Sequence, residues 1–76
     1  MLTITRYVDI SPQLAAERLA HLTTASPLAD TEVRVSGIEE LATVEVIVPW
    51  HIEHREATAL AADRYATAVV AELTAA

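Results

Sequence analysis

The sequence predicts an α+β domain with the element order β-α-β-β-α, in which two helices pack on a three-stranded sheet. Three short segments alternate apolar with polar residues, which is the pattern of a half-buried strand. Two other segments carry apolar residues at helical spacing. A length of 76 residues leaves room for one domain, spanning 1–76. Within it, residues 1–49 are predicted to form the sheet and first helix, and residues 50–76 the C-terminal helix.

The first strand and helix are indicated at the start of the chain. The segment Leu2–Val8 has mostly apolar residues at its even positions, as a strand with one buried face requires. Ser11 and Pro12 follow as the N-cap and first residue of a helix, where proline loses no needed donor. We expect this helix to run to about Thr24 and to end before Pro27.

The next two strands are predicted to form a hairpin. Thr31–Ser36 and Leu41–Val48 both alternate, and the turn between them is expected at Gly37–Glu40. Ile47 interrupts the polar outer face of the third strand, which indicates that this face is partly covered. A right-handed crossover would pair strand one in parallel beside the hairpin, although three strands allow other orders.

A long, alanine-rich helix is predicted from about His51 to Leu73, after Pro49 ends the sheet. Such a helix measures roughly 35 Å at 1.5 Å per residue, which is longer than three short strands need as a cover. Its apolar stripe is shallow because much of it is alanine. We therefore expect its far half to project and meet another chain. The predicted partner-binding residues are Trp50, Leu60, Tyr65, Val69, Val70 and Leu73.

Composition disfavours most enzyme chemistry. The chain has no lysine or cysteine and a single glycine, so it lacks a Schiff-base lysine, a thiolate nucleophile and a glycine-rich phosphate loop. We expect a protein without enzymatic activity and without a cofactor. The net charge of −6 disfavours non-specific attraction to nucleic acid or to an anionic membrane. No signal-peptide core or membrane-spanning run is present in the sequence, which favours a cytoplasmic location.

Two small groups of residues are candidates for other sites. His51 and His54 lie three positions apart and would share a helix face beside carboxylates, but zinc needs three or four ligands. A metal site there would need a symmetry mate. Arg6 and Arg34 lie on strands and could share one sheet face as candidate nucleic-acid contacts. The alternative is that these arginines pair with Glu32, Glu45 or Glu17, and we favour it.

The hairpin also resembles a known family. Glu32–Gly37, followed by Ala42–Pro49, is similar to the hairpin of Phd/YefM antitoxins, with a glycine turn and a strand that ends in Val-Pro before a helix. The opening strand and Ile10-Ser11 also look like the start of that family, so the resemblance covers about residues 1–60. It implies a dimeric N-terminal module that binds operator DNA and a C-terminal helix that wraps and inhibits a toxin.

These observations lead to one principal expectation and two alternatives. The principal one is a small, acidic, dimeric interaction protein whose C-terminal helix binds a protein partner in antitoxin style. One alternative is an acidic DNA mimic or inhibitor that blocks its partner. The other is a small metal-binding protein that uses His51 and His54.

Overall fold

A computed structural model describes residues 1–49 and 55–75 of the chain. The five elements occur in the predicted order, which confirms the α+β class and the β-α-β-β-α arrangement. Their bounds are β1 Leu2–Val8, α1 Pro12–Leu19, β2 Glu32–Ile38, β3 Leu41–Val48 and α2 Arg55–Thr74.

The sheet has the strand order β1-β3-β2, and both pairs of neighbours are antiparallel. Strands β1 and β2 therefore run in the same direction, but β3 lies between them. A direct parallel pairing of the first strand with the hairpin is thus wrong. Strand β3 lies at the centre of the sheet. It has the most buried side chains of the three strands because it has a neighbouring strand on both edges.

Both helices lie on one side of the sheet. Helix α2 packs mainly against β1, and α1 packs mainly against β2. The alternation of the strands sends one set of side chains into the layer below the helices, as predicted. The residues that form this buried core are Val8, Ala15, Ala42, Val44, Val46, Tyr65, Ala66, Val69 and Leu73.

The first helix is shorter than predicted. It ends at Leu19 rather than near Thr24, and the next amides bond three residues back, from His21 to Arg18 and from Leu22 to Leu19. Thr23 and Thr24, which the prediction places in the helix, instead donate their backbone N–H groups to the Glu72 side chain on α2. Its start is confirmed, with the Ser11 side chain accepting from the backbone N–H of Leu14.

The hairpin turn is also tighter than predicted. Gly37 and Ile38 belong to β2, where they pair with Ala42 and Leu41, so only residues 39 and 40 form the turn. Gly37 has a φ of +121°, and a Cβ built there would lie 2.3 Å from the carbonyl oxygen of Leu41. Any side chain at this position would clash with the backbone, so glycine is required for the close approach of β2 and β3.

The last helix does not project from the fold. Val69 and Leu73, in its far half, are fully buried against the sheet and α1. The expectation of a projecting far half is wrong because the alanines let the helix lie close to the strands, with Ala62 and Ala66 also fully buried. The predicted start near His51 lies outside the described residues.

Truncating Leu73 tests whether it belongs to the chain's own core. We expect Leu73→Ala to lower the free energy of unfolding by about 2–5 kcal/mol, because deleting a buried leucine leaves a cavity. Leu60→Ala is the matched control on the same helix, because Leu60 is 52% exposed. We expect the control to change stability by less than about 1 kcal/mol. Urea unfolding followed by circular dichroism measures both. Equal losses would show that Leu73 is not core.

Candidate functional site

The sheet has one face that neither helix covers, and we call it the open face. Its side chains come from the odd-numbered residues of β1 and β3 and the even-numbered residues of β2. Ile47 lies on this face but is only 9% exposed, which confirms the prediction that it is covered. Across the three strands, the register places Ile47 between Thr3 and Glu32, Glu45 between Thr5 and Arg34, and Thr43 between Tyr7 and Ser36.

Three large apolar side chains are exposed at the hairpin end of the open face. Tyr7 is 71% exposed, Ile38 is 79% exposed and Leu41 is 50% exposed. Ile38 and Leu41 pair directly across β2 and β3. Tyr7 is the cross-strand neighbour of Thr43, which follows Leu41 on the same face of β3. We call these three residues the hairpin-end patch.

Carboxylates surround the hairpin-end patch. Glu39 and Glu40 form the turn between Ile38 and Leu41, and Asp9 follows directly after β1 at the same end of the sheet. All three acids are exposed. The patch therefore combines exposed apolar surface with a negatively charged rim.

Arg34, on the same open face as the hairpin-end patch, is already paired with a carboxylate. Arg34 donates from Nε and Nη2 to the two carboxylate oxygens of Glu32, at 3.0 and 3.2 Å. This hydrogen bonding, together with the negative charge of Glu32, raises the pKa of Arg34. The pairing with Glu32 confirms the alternative expectation for this arginine.

The predicted arginine ribbon is wrong in its geometry. Arg6 alternates with Leu2 and Ile4 on the helix side of β1, and its guanidinium bonds to Asp63 on α2. Arg34 faces the opposite side of the sheet. The two arginines therefore do not share one sheet face.

The predicted partner-binding residues fall into three groups. Tyr65, Val69 and Leu73 are buried in the chain's own core, so they do not face outwards in this structure. Leu60 is exposed and Val70 is half-buried. Trp50 lies outside the described residues. The surface that α2 offers to another molecule is therefore its outer side, not its main apolar stripe.

A carboxylate that sequence reasoning missed joins the two helices. Glu72 of α2 accepts four hydrogen bonds from the segment after α1. Thr23 donates from its backbone N–H at 2.7 Å and from its hydroxyl at 2.8 Å, and Thr24 does so at 3.1 and 2.8 Å. Led by the bond from the Thr23 backbone, they lower the pKa of Glu72 from 4.5 to about 2. We call this arrangement the Glu72 clasp.

A second bond runs between the helices in the opposite direction. Arg18 of α1 donates from Nη1 to the backbone oxygens of Leu73 and Ala75, at 2.6 and 3.1 Å. These carbonyls end α2 and lack helical partners, and a cation there also suits the helix dipole. The position of Arg18 near the end of α1 is visible in the sequence, but its target is not. Both helix–helix contacts are structural and suggest no reaction.

Metal sites and membrane spans are absent from the part of the chain that the structure describes. No group of three or more histidines and acids is close enough to hold a metal ion in residues 1–49 and 55–75. The candidate ligands His51 and His54 lie outside those residues. No helix within the described ranges is long and apolar enough to cross a bilayer.

Two open grooves lie on the described surface, the larger lined mostly by apolar residues and the smaller mostly by charged or titratable ones. One of about 510 Å³ lies between the segment after α1 and the outer side of α2. Its lining includes Pro27, Ala68 and one charged residue, Arg64. Another, of about 410 Å³, lies beside the ends of α1 and α2. There Arg18 already bonds to the end of α2, and Glu72 already bonds to the segment after α1. Neither groove gathers the side chains of a reactive centre.

Comparisons with known proteins give no match. No family model, no curated protein and no solved structure matches this chain. The Phd/YefM resemblance stays a prediction.

The Glu72 clasp makes stability depend on acid pH. The pKa of Glu72 is about 2 in the folded chain and close to 4.5 when unfolded. Its contribution is therefore present above about pH 4.5 and is lost as the pH falls through that interval towards 2. We expect Glu72→Gln to lower the melting temperature at pH 7 and to flatten its fall between pH 4.5 and 2. Thermal unfolding at a series of pH values measures both effects.

Glu17→Gln is the matched control for the clasp. Glu17 is an exposed glutamate on α1, and its replacement by glutamine removes the same charge as Glu72→Gln does. We expect this variant to keep both the melting temperature at pH 7 and the acid-dependent fall of the wild type. If both variants behave alike, the hydrogen bonds to Glu72 do not contribute to folding.

Proposed function

We propose that this chain is a non-enzymatic protein-interaction module that binds a basic protein partner through the hairpin-end patch. The observation that supports it best is the exposure of Tyr7, Ile38 and Leu41 together at one end of an uncovered sheet face. The proposal keeps the principal expectation from the sequence, a small acidic regulator in the cytoplasm, and changes the surface by which it binds.

The hairpin-end patch has the chemistry of an interface centre. Contiguous exposed apolar surface with a polar rim is typical of protein-binding sites, whereas single exposed apolar residues are common everywhere. Tyrosine is among the residues that contribute most to binding when an interface buries them. In a chain with only three aromatic residues, Tyr7 is the one that the structure shows exposed, whereas Tyr65 is buried. The patch thus supplies an aromatic anchor and two aliphatic neighbours.

The charge around the patch indicates the kind of partner. Asp9, Glu39 and Glu40 form an acidic rim, and the whole chain has a net charge of −6. Complementary charge steers two proteins together and excludes partners of like charge. The partner that fits is a protein with an apolar projection among arginines or lysines. An acidic protein that occupies a basic surface of this kind would inhibit the partner that carries it. The nucleic-acid mimic that the sequence allows is one such inhibitor.

A second mode of binding is favoured by Leu60. This residue is exposed on the outer side of α2, where the antitoxin-style proposal needs a contact. It stands alone there as a large exposed apolar residue among those that the structure describes in α2. Binding through this helix therefore remains the second proposal, and the same experiment separates the two.

Variants of the patch test the proposal. The wild-type chain and its variants are immobilised, a stoichiometric partner is purified from the native host, and its dissociation constant is measured for each. We expect Ile38→Ser with Leu41→Ser to weaken binding at least about tenfold, because truncating interface anchors commonly costs about 2 kcal/mol or more. Glu39→Gln with Glu40→Gln should slow association and reduce its dependence on salt.

Leu60→Ser is the matched control for the patch variants. If the patch is the binding surface, this change on α2 leaves the dissociation constant within about twofold, since surface changes outside an interface are near neutral. If Leu60→Ser weakens binding and the patch variant does not, the helix is the binding surface and the patch proposal fails. Circular dichroism of each variant checks that it is folded.

A further inference from the structure

The outer edge of β1 is free of other strands in the part of the chain that the structure describes. This edge belongs to a strand of seven residues, Leu2–Val8, and its register with β3 is continuous, without a bulge. The strand contains no proline or glycine. A straight edge of this kind presents unpaired backbone donors and acceptors, and natural proteins usually protect such edges with charge, proline or bulges.

The only charged residue of β1 is bonded within its own chain. Arg6 points to the helix side, where its guanidinium bonds to Asp63 of α2, and its Nη1 also donates to the backbone oxygen of Thr5 at 3.3 Å. On the open face β1 presents only the uncharged side chains of Thr3, Thr5 and Tyr7. The edge of β1 therefore has no irregularity and no charge on its open face, and pairing with another strand has to displace the Arg6 bond to Thr5.

The opposite edge of the sheet is different. Strand β2 carries the ion pair of Glu32 and Arg34 on its open face. It also contains Gly37, whose unusual backbone brings it close to β3. Charged side chains and glycine both disfavour the addition of a strand. The two edges thus differ in the features that decide whether a strand can add.

Burial on the helix side also points to β1. Leu2 and Ile4 face the helices but remain half-buried, whereas Val44 and Val46 of β3 are fully buried. The apolar surface that these two residues leave exposed lies along the free edge. A strand added at this edge would cover it, and about 25 cal/mol is gained for each Å² of apolar area removed from water.

We propose that β1 pairs antiparallel with β1 of a second copy of this chain, which joins two three-stranded sheets into one of six strands. Two identical strands that pair antiparallel are related by a two-fold axis, and full overlap of seven residues places Thr5 on that axis. Leu2 then lies opposite Val8 of the second copy, and Ile4 lies opposite Arg6 of the second copy. On the open face, Tyr7 lies opposite Thr3 of the second copy.

The distribution of charge makes the edge of β1 a favourable place for a second copy to bind. Two chains of net charge −6 repel each other, but residues 1–8 contain no acid. The charges that approach the axis are Arg6 and Asp63, and these two neutralise each other within one chain. The first strand is therefore the edge where two copies meet with the least repulsion.

The helices enlarge the contact. Helix α2 is the one that packs mainly on β1, and Asp63 marks its side towards the free edge. Val70 lies two turns along the same side and is half-buried. In the joined sheet, the two α2 helices become neighbours across the axis, and their sides with Val70 approach each other. This adds helix contact to the strand pairing, which alone is small for a stable dimer.

The six-stranded sheet and the proposed partner are tested at different residues. The sheet uses the edge of β1, which includes Tyr7 of the patch, whereas the partner proposal is tested at Ile38 on β2 and Leu41 on β3. The variant with serine at those two positions should remain dimeric. Failure of either proposal can therefore be seen without the other.

A charge placed on the axis tests the pairing. Thr5→Lys puts two like charges on directly opposed positions, which destabilises a strand pair. The fold should tolerate it, because Thr5 is exposed and its neighbour on β3 is Glu45. We expect sedimentation equilibrium to show a dimer for the wild type at tens of micromolar and a dissociation constant raised by about tenfold or more for this variant. Ser36→Lys, also exposed on the open face of an edge strand, is the control and should stay dimeric.

A cysteine on the axis tests the register. The chain has no cysteine, so Thr5→Cys provides one thiol per copy. Directly opposed residues of antiparallel strands lie about 4.5–5.5 Å apart between Cα atoms, which suits a disulfide. Mild oxidation should link most of this variant as a dimer and leave Ser36→Cys mostly unlinked. A wild type that stays monomeric overturns the proposal, as does a dimer that survives Thr5→Lys and shows no preferential linkage through Thr5→Cys.

Discussion

The relative position of the two helices depends on one carboxylate. Glu72 receives two backbone and two hydroxyl hydrogen bonds from Thr23 and Thr24, and so fixes the exit of α1 against the last turns of α2. Helix α1 has eight residues, a length that is not stable in water by itself. Its N-cap, its buried Ala15 and the tie to α2 must together keep it folded. The return bond from Arg18 to the end of α2 makes the restraint mutual.

A small core is made sufficient by close approach rather than by large side chains. Ala42 of β3 and Ala62 and Ala66 of α2 are fully buried, and they let the helix axis lie near the sheet. Among the residues that the structure describes, Tyr65 is the one aromatic side chain in this core. Because alanine contributes little area, the valines of β3 supply much of the apolar burial. The central strand is therefore both the hydrogen-bonding and the packing centre of the sheet.

Local patterns in the sequence predict the elements, and distant contacts decide their limits and environment. Alternation was enough to find all three strands and to predict that Ile47 is covered. It could not show that Thr23 and Thr24 leave the helix, because their partner Glu72 is 49 and 48 positions away. The faces of Arg6 and Arg34 depend on which residues pair across β3, which one strand alone does not reveal. For the candidate site, the sequence pattern predicts Ile38 in a turn and Leu41 in a strand, and it does not show that both residues lie with Tyr7 on the open face. The burial of Leu73 follows from the close approach of α2 to the sheet. The alanines of α2 permit this approach, but the sequence alone does not show that it occurs.

The strand order also has a consequence for the time at which each pairing can form. Strands β2 and β3 are joined by a two-residue turn, so their hairpin can close within microseconds of both being free. Strand β1 pairs only with β3, and Leu2 must find Val48. During synthesis the first strand leaves the ribosome before its partner has been made, and it must wait until most of the chain has emerged. Strand β1 therefore joins the sheet only after β3 has been made, although β1 is the earlier of the two in the sequence.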